Sequence, residues 1–355
     1  MIGLPRLDTI QSAAANLAHR VRSGSFADLR PMPRIRIDQG LAREVYEYAP
    51  RGEAVGDPVL LVLPLGVPSS CFDLRRGCSM VEHLVSQGRP TYLVEYGEIG
   101  FAERDLGLDH FVTDVLPAAV GAVHERSGGR PVHVVGWCLG GILSVLTAAR
   151  MGAWPIASLT VIASPFDFTR IPLIVPLRPL VTVAGGRALA KLYKTFGTVP
   201  AALVRLAFQV SALDKLLTKP FSVARNLADR DYLAQIEAVD RFTANMVAYP
   251  GRALAHIYHR FLRANALVTG QVHLAGERID LAAVKPPTLV IAGRGDTIAP
   301  PKAVRALTGL LPEAAEVRFT TVEGGHLGAL TGRGARRGTW PVIDRFLAEH
   351  DTVSG

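Results

Sequence analysis

With 355 residues, 49% of them apolar, 34 glycines and 24 prolines, the chain has the composition of a folded α/β protein long enough for a full core, which excludes a disordered or fibrous chain. Its 39 basic against 31 acidic residues leave a formal charge of +8, suiting an anionic partner such as a phosphate-bearing substrate or surface; no basic run interleaved with aromatics accompanies it, so nucleic acid is not the expected partner. Cysteines at 71, 78 and 138 form neither a CxxC pair nor an even disulfide framework, which fits a reducing cytoplasm.

Residues 1–40 read as an arm ahead of the core. Leu7–Arg22 has the spacing of an amphipathic helix, and the stretch to Arg36 carries six arginines against Asp8 and Asp28. An arm packed on the core and solvated outside is the expectation, and the N-terminus lacks the continuous apolar run of a signal peptide. The first part of the core, 41–163, begins in earnest with PVLLVLP at 58–64, an apolar run typical of a strand buried on both faces. A loop over Leu65–Leu74, a helix over Ser79–Gln87, a strand over Thr91–Tyr96 and a long helix over Asp105–Arg126 follow. Next come a strand over Val132–Val135, a helix to about Met151 and a strand over Ser158–Ala163. This alternation predicts a mostly parallel sheet with right-handed crossovers and helices on both faces.

From Ser164 the pattern changes. Prolines cluster, and helical periodicity then runs over Arg187–Thr195, Val199–Leu217, Asp231–Tyr249 and Gly251–Leu267 without a strand-like run. Residues 164–269 are therefore expected to form a helical cap inserted between two sheet strands. Apolar stretches such as VPAALVRLAFQVSALDKLL suit either a hydrophobic channel or ordinary cap packing. Ile171–Ala190 is too broken by prolines and Arg178 to span a membrane. The second part of the core, 270–355, resumes with strands over Pro287–Ala292 and Glu316–Val322 and ends in a helix over Pro341–Glu349.

The chemistry-bearing residues fall at strand ends. Gly136-Trp137-Cys138-Leu139-Gly140-Gly141 joins a β-branched strand to an apolar helix and has the G-x-nucleophile-x-G form of a strained elbow. Gly136 and Gly140 let the helix cross close to the strand, which pushes the Cys138 thiol out over the sheet edge, and the helix start favours a thiolate. A lone cysteine is ordinarily a small buried hydrophobe; in this setting, with a base and an acid following, it reads as a nucleophile. Asp296, in the glycine turn GRGDTIAPP after the resumed strand, is placed to orient an imidazole, and His326, in EGGHLG after the last strand, is placed as the base. The order nucleophile, acid, histidine is that of one hydrolase superfamily. The backbone N–H groups of Leu139 and of Val67, in the loop after the first core strand, are the candidate oxyanion donors. No carboxylate–histidine cluster has metal-ligand spacing, so neither a metal nor a cofactor is expected. His256 and His259 read as surface or packing residues of the cap. Arg333, Arg336 and Arg337, just beyond His326, stand where substrate phosphates would be met, or else in a solvated loop.

Taken together these residues resemble the polyhydroxyalkanoate synthases of the α/β-hydrolase superfamily, and most of all the shorter, two-subunit type. The resemblance runs from about Val59 to the C-terminal helix. It is carried by FDLRRGCSMVEHLVSQG before the TYLVEY strand, the GWCLGG elbow, the stretch YPGRALAHIYHRFLRANALVTGQVHLAGERIDLAAVKPPTLVIAGRGDTIAPP, and the tail GGHLGALTGRGARRGTWPVIDRFLAEH. It implies an α/β-hydrolase fold with a helical cap and a triad of Cys138, Asp296 and His326. It also implies transfer of hydroxyacyl groups from hydroxyacyl-CoA thioesters to a hydroxyl acceptor through an acyl-cysteine, with growth of a polyester; CoA enters as part of the substrate, not as a cofactor. The partners implied are a second synthase subunit or a homodimer and a polyester granule surface, in the cytoplasm. The chain departs from the pattern with LPLGVPSSCFDL in place of a Pro-Pro, Asn-Lys and Tyr-rich loop, with Tyr96 for a tryptophan, and with Phe242 for a tryptophan of the cap. The same residues also fit a thioesterase or esterase with water as acceptor, and a non-catalytic relative that binds a granule or a partner.

Overall fold

The computed structural model describes residues 7–50, 52–152, 155–172, 198–211 and 213–352. The helix expected over Arg187–Thr195 lies outside them. A helix over Leu7–Ser23 leads to β1 (Ile35–Gly40) and β2 (Arg43–Tyr48), an antiparallel hairpin. Then come β3 (Val59–Val62), β4 (Thr91–Glu95), β5 (Val132–Trp137) and β6 (Ile156–Ile162). In the inserted region Thr198–Val199 (β7) pairs with Tyr249–Pro250 (β8), and β9 (Gln271–Leu274) with β10 (Glu277–Asp280) forms a second hairpin. β11 (Thr288–Gly293) and β12 (Val317–Val322) complete an eight-stranded sheet in the order β1-β2-β4-β3-β5-β6-β11-β12, parallel from β4 onward.

The sheet thus begins at Ile35, inside residues 1–40, the stretch read from sequence as an arm ahead of the core. Ile35 is 58% exposed on an edge strand, so the hairpin carries too little burial to stand out in the pattern. The helix ahead of it packs on the cap, not the sheet: Asn16 donates to the Leu227 carbonyl, and Glu237 binds Arg20 and accepts the N–H groups of Phe26 and Ala27. The cap also departs from the all-helical expectation. Its described helices cover Ala201–Ser211, Leu213–Arg225, Arg230–Ala244 and Gly251–His256, the last running on through a π turn at Ile257–Arg263. The residues expected to extend two of those helices, Val199 and Tyr249, are instead paired as strands.

The sheet order decides where the helices go. β3 leads to β4 on one side, whereas β4 to β5, β5 to β6 and β11 to β12 step the other way, so right-handed crossovers place the helix Met80–Ser86 on the face opposite residues 108–126 and the helix Leu139–Met151. The C-terminal helix Thr339–Glu349 joins the first face, where Asp344 bonds His83 at 2.8 Å and Trp340 packs on the same ring. β3 and β5 are buried along their whole length, as their apolar runs require. The chain therefore diverges between β3 and β5, and a crevice opens at the carboxyl ends of the strands at such a switch point.

The turn after β5 depends on its glycines. A Cβ at Gly136 would stand 2.6 Å from the Gly141 Cα, and one at Gly140 would stand 2.7 Å from the Leu63 carbonyl oxygen and closer still to that of Val62. Both obstacles are backbone and cannot turn away. Gly140→Ala is expected to destabilise the fold by about 3 kcal/mol, read as a lower urea midpoint at unchanged m; an unshifted midpoint would mean that the helix can back away from β3.

Candidate active site

Cys138 lies between β5 and the elbow helix with φ 55° and ψ −123°, a left-handed conformation that strains any residue with a Cβ. It is held there from both sides. Its N–H donates to the Ile162 carbonyl of β6 at 2.9 Å, and its carbonyl accepts from Gly141 at 3.1 Å as the first turn of the helix closes. The thiol stays partly exposed while its neighbours in the elbow are buried.

Asp296 and His326 come from the loops after β11 and β12, adjacent parallel strands, so a single crossover brings residues 30 positions apart to one spot. The loops are also bonded directly: Gly295 N–H donates to the Gly324 carbonyl at 2.9 Å, and Gly324 takes φ +122°. His326 Nδ1 donates to Asp296 Oδ2 at 2.8 Å, while Asp296 Oδ1 accepts the N–H groups of Ile298 and Ala299, each at 2.8 Å. Burial works against ionisation of Asp296, but the imidazole and these amides outweigh it and hold the carboxyl below its usual range.

With Nδ1 committed, Nε2 is the free nitrogen. It is buried and makes no hydrogen bond of normal geometry. Burial disfavours the imidazolium; the charges of Cys138 and Asp296 outweigh that and push the pKa up to about 10. The geometry thus brings together the three side chains singled out in the sequence.

The sign of the linked stability follows. His326 binds its proton more tightly in the fold than in the unfolded chain, so its contribution is complete below its ordinary value of 6.5 and is lost as pH rises through about 10. Asp296 acts in the opposite sense: its contribution is present above 3.8 and lost as pH falls through its depressed folded value. Thermal midpoints measured from pH 6.5 to 10 are expected to fall more steeply for the wild type than for Cys138→Ala, which lacks the sulfur that helps raise the His326 pKa. Parallel curves would show that the thiol does not hold the proton on His326.

Leu139, the first residue of the elbow helix, has one of the N–H groups that a helix leaves without an intrahelical acceptor. Val67 is buried in the loop leaving β3, the strand beside β5, just after Gly66 at φ +77°. Both candidate oxyanion residues therefore belong to the same sheet edge as Cys138. Four aromatic residues support this arrangement, of which Trp137 and Tyr249 were not singled out in the sequence. Trp137 Nε1 donates to the His326 carbonyl at 3.2 Å, and the two rings pack at a tilt of 42° with centroids 4.9 Å apart; Phe242 of the cap meets the indole edge-on with centroids 6.5 Å apart. Tyr96 donates to the Leu63 carbonyl at 2.7 Å, where the chain leaves β3, and Tyr249 of the cap packs over Gly66. The sequence signals that pointed toward such support are the tryptophan in the elbow between glycine and nucleophile, and Tyr96 and Phe242 as departures from the synthase pattern.

Two of the arginines beyond His326 have other work. Arg333 binds Asp229 and Asp231 at 2.8 Å each, Arg336 binds Asp231 at 3.0 Å, and Arg75 reaches Asp231 from below at 2.7 Å, so these cations fasten the helix Arg230–Ala244 of the cap to the core. His256 likewise joins cap to core by accepting the Leu108 N–H at 3.2 Å. Among the described residues, Asp57, His133 and Asp351 have ligand atoms near enough together for a metal. They sit at the amino ends of β3 and β5, away from Cys138. Arg130 reaches Asp57 at 2.8 Å and Arg89 grips Asp351 through both nitrogens, so two guanidiniums already balance the two carboxylates and leave no surplus negative charge for a cation. No helix among the described residues is long and apolar enough to cross a membrane.

Residues 59–332 match the protein family described as alpha/beta hydrolase fold. A poly(3-hydroxyalkanoate) polymerase subunit PhaC of Allochromatium vinosum is 26% identical over 313 residues, 85% of this chain and 83% of its own. One of Haloferax mediterranei is 25% identical over 82% of this chain, which spans only 58% of that relative's length. Among solved structures, a thermostable carboxyl esterase from Bacillus coagulans superposes with a TM-score of 0.57 at 16% identity, covering 90% of this chain and 98% of its own.

Proposed function

This chain belongs to the alpha/beta hydrolase fold family, and from that premise we propose that it is a cysteine acyltransferase that lengthens a polyester from hydroxyacyl-CoA thioesters. The observation that carries the reading is His326, bonded to Asp296 through Nδ1 at 2.8 Å and left with a free Nε2 beside Cys138 in its strained elbow. The similarity to poly(3-hydroxyalkanoate) polymerases supports the substrate class.

In the proposed sequence His326 Nε2 takes the Cys138 proton, and the thiolate attacks the thioester carbon. A carbon–sulfur bond to Cys138 forms as the bond to the CoA sulfur breaks, and CoA leaves as a thiol with the proton from His326. The hydroxyl of a second unit or chain end then attacks the acyl-cysteine, its proton passing to His326 and on to the released Cys138 sulfur. The Leu139 and Val67 N–H groups hold the oxyanion in both halves; loss of one such donor costs about 3 to 4 kcal/mol in comparable holes. Exchange of one thioester for another is nearly isoenergetic, so the acyl-enzyme keeps the driving force for transfer to an alcohol, provided the cap limits water. A second synthase subunit or a second copy is the expected partner, and the polyester surface the expected place of action.

Intact mass after mixing the protein with 3-hydroxybutyryl-CoA and longer homologues tests the reading. A ladder of added hydroxyacyl units is the expected result. A single adduct that turns over to free acid would replace the polymerase with a thioesterase, and no adduct at any chain length, with likely partner subunits added, would leave a binding protein.

A further inference from the structure

Tyr249 stands in β8, the two-residue strand that pairs with Val199 within the cap. Its ring Cδ2 lies 2.8 Å from the point a Cβ on Gly66 would occupy, and Val204 of the cap closes on the same spot at 3.4 Å. Only glycine at 66 admits the ring. Two residues earlier, the Val247 N–H donates to the Gly66 carbonyl at 3.1 Å. The cap segment 247–249 is therefore bonded to, and packed on, the loop that carries Val67.

The ring of Tyr249 thus lies against the backbone next to Val67, one of the two candidate oxyanion donors. Burial, with the charges of Cys138 and Tyr96, pushes the phenol's pKa well up, which keeps it a neutral O–H. Tyr96 spends its hydroxyl on the Leu63 carbonyl. The Tyr249 hydroxyl makes no hydrogen bond among the described residues. A phenol O–H without a hydrogen-bond partner among the described residues, on a ring packed beside apolar Val204, gains one when a bound acyl group brings an oxygen within reach.

We propose that Tyr249 is a specificity-determining residue: its phenol hydrogen-bonds an oxygen substituent near the thioester carbon of the bound acyl group and so selects hydroxyacyl over plain acyl chains. This rests on the acyl-cysteine reading and names the group that discriminates within it. A group that must meet the substrate hydroxyl favours the chain that carries one, here by roughly 10- to 100-fold.

The test compares Cys138 acylation by 3-hydroxybutyryl-CoA and by butyryl-CoA, which differ by one hydroxyl, followed by intact mass in the full chain. Wild type, Tyr249→Phe and Tyr249→Leu are run together, with thermal midpoints recorded. The wild type is expected to prefer the hydroxyacyl thioester by that factor, and both variants to bring the two rates within about threefold. The ratio is internal to each protein, so a moderate loss of stability does not disturb it. A wild type without preference, or variants that keep the full preference, would overturn the proposal. A wild type acylated by neither thioester would instead bring down the acyl-cysteine reading itself, a pattern distinct from an unselective but active enzyme.

Discussion

In Cys138→Ala, no acyl adduct forms with any hydroxyacyl thioester and turnover falls by at least about 10⁴-fold, with the fold intact. The loss is that large because the thiol is the atom that carries the acyl group between two half-reactions; oxyanion donors and substrate binding remain, but they have no intermediate to stabilise. Stability should change little, since alanine at φ 55° carries the same Cβ strain as cysteine. Cys138→Gly separates the two properties. It is equally inactive, yet glycine enters the left-handed region without steric cost, so its midpoint is expected to exceed that of Cys138→Ala by about 1 kcal/mol in stability despite glycine's greater entropy loss on folding. Residual turnover in Cys138→Ala above a hundredth of wild type would mean that water or the acceptor is activated directly, without an acyl-enzyme.

Asp296→Asn is expected to lower kcat by about 10⁴-fold with KM nearly unchanged. The amide oxygen is claimed by Ile298 and Ala299, whose N–H groups both bond Oδ1 in the wild type. The amide nitrogen must then face His326 Nδ1. Two donors cannot share that contact, so the ring proton moves to Nε2 and the nitrogen beside Cys138 can no longer accept the thiol proton. Loss of the carboxylate charge also removes one of the two charges that raise the His326 pKa. Acylation measured by single turnover against pH checks both effects: the rate should stay far below that of the wild type across the whole pH range. A drop smaller than tenfold would show that Asp296 is a turn-forming residue with no part in setting the imidazole.

Much of this architecture is legible in one dimension. Strands buried on both faces must be apolar throughout, so PVLLVLP and the run before the elbow announce a parallel sheet. Gly136 and Gly140 are needed where helix and strand backbones nearly touch, and the order of Cys138, Asp296 and His326 along the chain matches their positions after β5, β11 and β12. The hairpin of β1 and β2 escaped because edge strands facing solvent carry a weak pattern, and the pairing of Val199 with Tyr249 escaped because two-residue strands have no periodicity to detect.

The sequence by itself determined the fold class and singled out the three side chains of the candidate triad, since each is written in short contiguous segments whose local chemistry has few other uses. Tertiary structure alone decided how those side chains are supported. That Trp137 holds the His326 carbonyl, that Arg333 and Arg336 pin the cap through Asp229 and Asp231, and that Tyr249 lies over Gly66 are contacts between residues about a hundred or more positions apart. A tryptophan, an arginine or a tyrosine has many possible partners, and the one it takes is fixed only when the sheet order and the seating of the cap bring a particular carbonyl, carboxylate or glycine within reach.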